Sequence, residues 1–183
     1  MKRILFLLLA VIVFAVIHEG LHALIAIPFG EYRDFTVKPY GLEVIFVTPP
    51  EERSGIQWFF ISGVSNIATI LLGYILFSQR ERFARMSSSF LRSWGYWQMI
   101  LFLLVDPFNL SIGPFLYGGD ALGIQRGLGV NIYVIQSVFF VVFLVNRELI
   151  AQWLLPTFGI KTRHPLFIPW FQFRQKQSEE ALP

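Results

Sequence analysis

Between Ile4 and Ile27 the chain is apolar, and the only ionisable side chains in the run are His18, Glu19 and His22. A helix needs roughly 20 residues to cross the hydrocarbon of a bilayer, so this run is long enough to span it. Lys2 and Arg3 precede it, and Pro28-Phe29-Gly30 ends it. A secretory signal peptide has a shorter apolar core followed by a small-residue cleavage site. Neither feature describes this segment, so it reads as a retained span.

Composition points the same way. Of 183 residues, 55% are hydrophobic and 15% charged, where a soluble domain is nearer a quarter charged. Lipid is the expected solvent. The net charge of +3 does not indicate a nucleic-acid partner, because the basic residues flank apolar runs, where lipid headgroups would meet them. The chain has no cysteine, which leaves His, Asp and Glu as candidate metal ligands.

Further apolar stretches follow. The second, about 56–77, holds Ser62, Gly63, Ser65, Asn66 and Thr69 in its first half. The third, about 91–112, meets Asp106-Pro107, where proline removes a backbone donor and tends to end or kink a helix; Asn109 to Gly119 reads as irregular. Asp120 then opens a short helical piece, and a fourth stretch covers about 130–150. Between the first two stretches, residues 35–47 carry β-branched and aromatic residues on both sides of Pro39-Tyr40-Gly41, the pattern of a β-hairpin. The expected fold is an all-α membrane bundle of four transmembrane helices with a small β-hairpin after the first. Residues 1–150 form one membrane-embedded core. Residues 151–183 form an interfacial or flexible tail, with 174–183 reading as disordered. Such a chain is a multi-pass integral protein, placed in the cell membrane.

His18-Glu19-Gly20-Leu21-His22 is an H-E-x-x-H motif. On a helix, positions i and i+4 share a face one turn apart, so the two imidazoles can hold one zinc ion and the intervening Glu19 can act as general base. Zinc lowers the pKa of a water it holds from about 15.7 to near 7. An ionisable group at mid-span costs about 2.5–3.5 kcal/mol. Three in five residues need compensation, and metal ligation supplies it. A hydrogen-bonded trio inside the bundle, as in a proton relay, is the competing explanation.

A catalytic zinc takes three protein ligands and keeps one position open. Asp106, Asp120, Glu148 and His164 are the candidates for the third. His18 and His22 lie late in the first span, toward the hairpin. If four spans alternate in direction, the third also ends on that side and delivers Asp120 there. Glu148 falls at the opposite face, and His164 lies in the tail. Asp120 is the expected ligand and Asp106 the second choice.

The pattern resembles the site-2 protease family of intramembrane zinc metalloproteases, over roughly residues 10–145. The resembling features are His18 to His22 within a span, a β-rich segment after it, Ser62-Gly63-Val64-Ser65-Asn66 in the next span, and an Asn109-to-Pro114 run leading to Asp120 beside glycines. The glycine pair precedes the aspartate instead of following it, and Asn109 to Pro114 is two residues longer than the family's usual spacing, as in a divergent branch. The resemblance implies a zinc metalloendopeptidase that hydrolyses peptide bonds in or near transmembrane segments of other proteins. Its partners would be a membrane-protein or peptide substrate and the bilayer. It implies that the hairpin edge pairs with an unwound substrate strand, and that Asn66 and Asn109 hydrogen-bond substrate backbone or the developing oxyanion, unless they serve as interhelical bridges.

Two other functions compete. A transporter would use His18, Glu19 and His22 as an ion site, although four spans are few unless it oligomerises. A non-catalytic relative would bind membrane segments without needing Glu19. Orientation divides the expectations. Eleven Lys and Arg fall on the side of the termini and four, Arg33, Lys38, Arg53 and Arg126, on the hairpin side. That distribution places the termini in the cytoplasm, whereas the resemblance places the zinc nearer the cytoplasmic face.

Overall fold

A computed structural model of the chain describes residues 2–39 and 41–171. Residue 40 of the hairpin turn and the end of the tail expected to be disordered lie outside them. Helix α1 runs Lys2–Ala26, strands β1 Tyr32–Lys38 and β2 Gly41–Phe46 follow, then α2 Gln57–Ser78, α3 Arg80–Ala84 and α4 Ser89–Ser111. Helix α5 covers Gly119–Leu128 and α6 Ile132–Leu149, which continues through one π-helical turn, Ile150–Leu154, into α7 Leu155–Thr157.

The side-chain pattern of α1 explains its placement. Ala10, Phe14, His18, His22 and Ala26 follow at intervals of four and are all buried. Leu5, Leu8, Ile12 and Val16 line the other side and are exposed. A soluble helix puts polar residues on its outer face; this one presents hydrocarbon there, as a lipid-facing helix does.

Among the described residues, three segments are long and apolar enough to cross a membrane: Ile4–Phe29, Gln57–Ser78 and Ile132–Thr157. Of the four expected spans, α4 does not meet that standard, although it has 23 residues. Its sequence is interrupted by Gln98, Asp106 and Asn109. The reason is its position: α4 packs against α1, α2, α5 and α6, so protein rather than lipid meets its polar residues.

Helix α4 also runs on past the expected break at Asp106-Pro107 to Ser111. Pro107 cannot donate to the carbonyl four residues back, that of Leu103. The side chain of Asn146 on α6 donates Nδ2 to that oxygen at 2.7 Å. An acceptor orphaned in a low-dielectric interior costs about 1–3 kcal/mol. Asn146 removes that cost, and the helix continues. Only the stretch from Ile112 to Gly118 is irregular, with a single 3-10 turn at Gly113–Phe115.

The expected hairpin forms, starting slightly earlier than its apolar residues suggest. β1 and β2 are antiparallel, with Phe35 opposite Val44 and Lys38 opposite Gly41. β2 packs on α1. The fourth span continues seven residues beyond Ile150, so the first part of the expected tail is helix. The interior has a cluster of Met99 and Leu103 on α4 with Ile150, Leu154 and Leu155 on the π-helical turn and α7 that follow α6. A second cluster, Leu110, Ala121, Ile124 and Ile135, holds α5 in place.

Candidate metal centre

Helices α1, α4 and α5 converge on one group of side chains. His18, His22 and Asp120 offer ligand atoms that all lie within 4.8 Å of one another. Nε2 of His22 is 3.1 Å from Nε2 of His18. Asp120 Oδ2 is 3.3 Å from His22 Nε2 and 3.4 Å from His18 Nε2.

The other nitrogen of each ring fixes its tautomer. His22 Nδ1 donates to the Ile61 carbonyl on α2 at 2.6 Å. His18 Nδ1 faces Asp106 Oδ1 at 3.1 Å. A carbonyl oxygen only accepts, so a neutral His22 carries its proton on Nδ1 and its lone pair on Nε2, and the carboxylate beside His18 Nδ1 favours the same tautomer there. Two imidazole lone pairs and a carboxylate oxygen therefore point at one spot, in surroundings walled by Phe14 against His18 and Phe46 against His22. Three such acceptors repel unless a cation or extra protons sit among them.

The residues fit a tetrahedral metal. Zinc–nitrogen and zinc–oxygen bonds of about 2.0–2.2 Å set ligand atoms roughly 3.3–3.6 Å apart on a tetrahedron, close to the three separations found. The side chains of His18 and His22 are 9% and 4% exposed and that of Asp120 is 20% exposed, so the group is reached from the Asp120 side.

Asp106 does not join the three. It lies behind His18, is 1% exposed, and its second oxygen accepts from Thr69 Oγ1. The expected second-choice ligand thus occupies the orienting position that a metal-bound histidine usually has filled by a carboxylate. Glu148 and His164 belong to the opposite end of the bundle, where Glu148 meets Trp170 and His164 caps Leu166.

Asn66 and Asn109 both reach Asp120. Asn66 Nδ2 donates to Oδ2 at 2.9 Å and to the Ser62 carbonyl at 2.8 Å. Asn109 Nδ2 donates to the same Oδ2 at 3.3 Å, and its own Oδ1 accepts from Tyr117 at 2.8 Å. Glu19 stands on the side of α1 facing the hairpin, where its Oε2 accepts from the Val44 N–H at 3.0 Å.

Two local features deliver Asp120. Gly119 has φ +58, a left-handed conformation that glycine adopts without steric cost, and it turns the chain into α5. Further along, Gly127 packs so closely on α2 that a Cβ there would lie 2.2 Å from the Phe59 nitrogen. Ser65 was not singled out as a site residue, yet its Oγ lies 3.0 Å from His22 Nε2. Its position in the small, polar half of the second span was the available signal.

No known protein-family model, curated protein or solved structure matches the chain. The fold and the side-chain cluster define a membrane-type helical protein with a candidate metal site.

Proposed function

We propose that the chain is an intramembrane zinc metalloprotease that hydrolyses peptide bonds in or near transmembrane segments of other proteins. The observation that carries this reading is the convergence of His18 Nε2, His22 Nε2 and Asp120 Oδ2 at 3.1–3.4 Å, one residue from Glu19. Bound there, zinc would supply a Lewis acid and a water nucleophile at neutral pH. The carboxylates of Asp106 and Asp120 on either side of His18 suit a cation at this spot.

The chain's own residues then have distinct tasks. His18, His22 and Asp120 hold the ion, with Asp106 and the Ile61 carbonyl keeping both rings turned toward it. Glu19 takes the proton of the attacking water on its carboxylate and returns it to the leaving amine nitrogen. Asn66 and Asn109 fix Asp120 through one oxygen and stand beside the place where substrate carbonyl charge develops. The outer edge of β2 lies along α1 near Glu19, which suits an unwound substrate segment pairing as an added strand.

The test uses the full chain purified in detergent. About one zinc per chain is expected for a single catalytic site. Glu19→Gln should keep the metal and lose cleavage of a transmembrane reporter, and His22→Ala should lose both. A preparation that is folded, free of zinc and still cleaves would overturn the reading.

One observation favours a second reading. Thr69, Asp106, His18 and Asp120 form a chain of polar contacts through the bundle, as a proton path would. That reading requires proton flux in proteoliposomes that is lost in Asp106→Asn, with no cleavage.

A further inference from the structure

The end of the bundle remote from the cluster is organised by a buried ion pair. Arg147 is 4% exposed and pairs with Glu148. Its guanidinium donates to the carbonyls of Leu166 at 2.6 Å, of Pro165 at 3.2 Å and of Ile168, and lies 4.3 Å from the Trp170 ring centroid. Glu148 accepts from the backbone N–H groups of Trp170 at 3.0 Å and Phe171 at 3.2 Å. Residues 165–171 are thus strapped down through their backbone. Phe167 packs inward on the core, while Leu166, Ile168 and Trp170 turn outward, 64%, 48% and 57% exposed. A polar clamp inside and an apolar face outside is the reverse of a water-facing surface.

Basic residues gather around this strap. Phe6 stacks edge-on against Phe90 with centroids 5.5 Å apart, so α1 and α4 begin together. A hollow of about 430 Å³, lined by Arg92, Tyr96, Trp97, Phe158 and Ile160, joins the start of α4 to the tail. Among the described residues, Lys2, Arg3, Arg80, Arg82, Arg85, Arg92, Lys161 and Arg163 belong to this end, against Glu81 as the one acid outside the Arg147–Glu148 pair. At the hairpin end, Arg33, Lys38, Arg53 and Arg126 stand against Glu31, Asp34, Glu43, Glu51 and Glu52.

We infer that the strap end is a docking surface for an anionic lipid leaflet, with Leu166, Ile168 and Trp170 seated at the boundary between headgroups and acyl chains. Tryptophan favours that boundary, and cations beside it are drawn to acidic lipid. The metal-ligand cluster then lies toward the opposite leaflet. At 1.5 Å per residue, His22 is about 6 Å from the hairpin end of α1 and about 30 Å from its start. The anionic leaflet of a cell membrane is the cytoplasmic one, so the cluster opens away from the cytoplasm. If the proteolytic reading holds, the bond cut lies near the non-cytoplasmic end of the substrate helix. The docking itself does not depend on that reading.

The chain has no cysteine, so one introduced thiol is a unique label. In cells expressing the full chain, Val37→Cys on the hairpin should react with a membrane-impermeant maleimide, and Ser87→Cys between α3 and α4 only after permeabilisation. The reverse pattern would overturn the orientation. In the second arm, a spin label at Ile168→Cys is read in vesicles of phosphatidylcholine alone and with phosphatidylglycerol added. The label should be shielded from an aqueous nickel reagent, more so with the acidic lipid. Each of Arg92→Gln, Lys161→Gln and Arg163→Gln should weaken the acidic-lipid effect roughly fivefold, the factor that about 1 kcal/mol per surface cation represents. A label equally open to water in both vesicles would refute the docking. Neither arm reads zinc or cleavage, so its failure is distinct from failure of the protease proposal.

Discussion

The backbone N–H of Val44 donates to Oε2 of Glu19 at 3.0 Å, joining the second hairpin strand to the helix that carries both histidines. That N–H points away from β1, so a proline at 44 would cost no bond of the β1–β2 ladder. Hydrogen bonds to charged groups contribute about 1.5–3 kcal/mol. Val44→Pro should therefore retain zinc and helical content and lower reporter cleavage by about tenfold or more. Metal analysis, circular dichroism and a cleavage rate on the same preparation check this.

Asp106 and Asp120 address opposite nitrogens of His18, and the two replacements should differ accordingly. Asp120→Asn removes a candidate ligand and should leave the purified chain without zinc. Asp106→Asn leaves all three ligands and loosens only the orientation of His18. Losing such an orienting partner typically weakens metal binding about 10–100-fold. Competition with a graded series of chelators measures the difference, and equal losses would count against the assigned roles.

Close approach of α5 to α2 is required at Gly127, where an added methyl would meet the Phe59 backbone 2.2 Å away. Overpacking of this kind costs about 1–3 kcal/mol. Gly127→Ala should lower the thermal midpoint in detergent. It should also weaken zinc retention, because Asp120 rides on the same helix. Unchanged melting would show that α5 shifts freely.

Asn146 and Pro107 form a compensating pair. Asn146→Leu leaves the Leu103 carbonyl without its donor and should destabilise the bundle by about 1–3 kcal/mol. In a Pro107→Ala background the restored backbone N–H can take that carbonyl, so the same replacement should cost less. A double-mutant cycle by denaturant unfolding reads the coupling. Part of the loss will persist, since Asn146 also accepts from Tyr74 at 2.6 Å.

Local periodicity accounts for what could be read from residue order alone. An apolar run of sufficient length, with His18 and His22 four apart, already places both rings on one face of one helix. The same arithmetic puts them on the stripe of Ala10, Phe14 and Ala26. β-Branched and aromatic residues on both sides of Pro39-Tyr40-Gly41 likewise specify a hairpin, because strand pairing across a short turn is a local event. Direction of travel along successive helices was enough to favour Asp120 as the third member of the cluster.

Tertiary packing decided the rest. Nothing local distinguishes a carboxylate that meets Nε2 of His18 from one that meets Nδ1; the turn from Ile112 to Gly119 and the seat of α5 on α2 assign Asp120 and Asp106 their places. Pro107 marks a helix end by every local rule, yet α4 continues because Asn146, 39 positions away in the chain, takes the carbonyl that proline leaves open. The apolar stretch around 91–112 did not by itself qualify α4 as long and apolar enough to cross a membrane, because its polar residues face other helices. In each case the missing fact was the identity of a partner distant in sequence, and only the folded bundle supplies it.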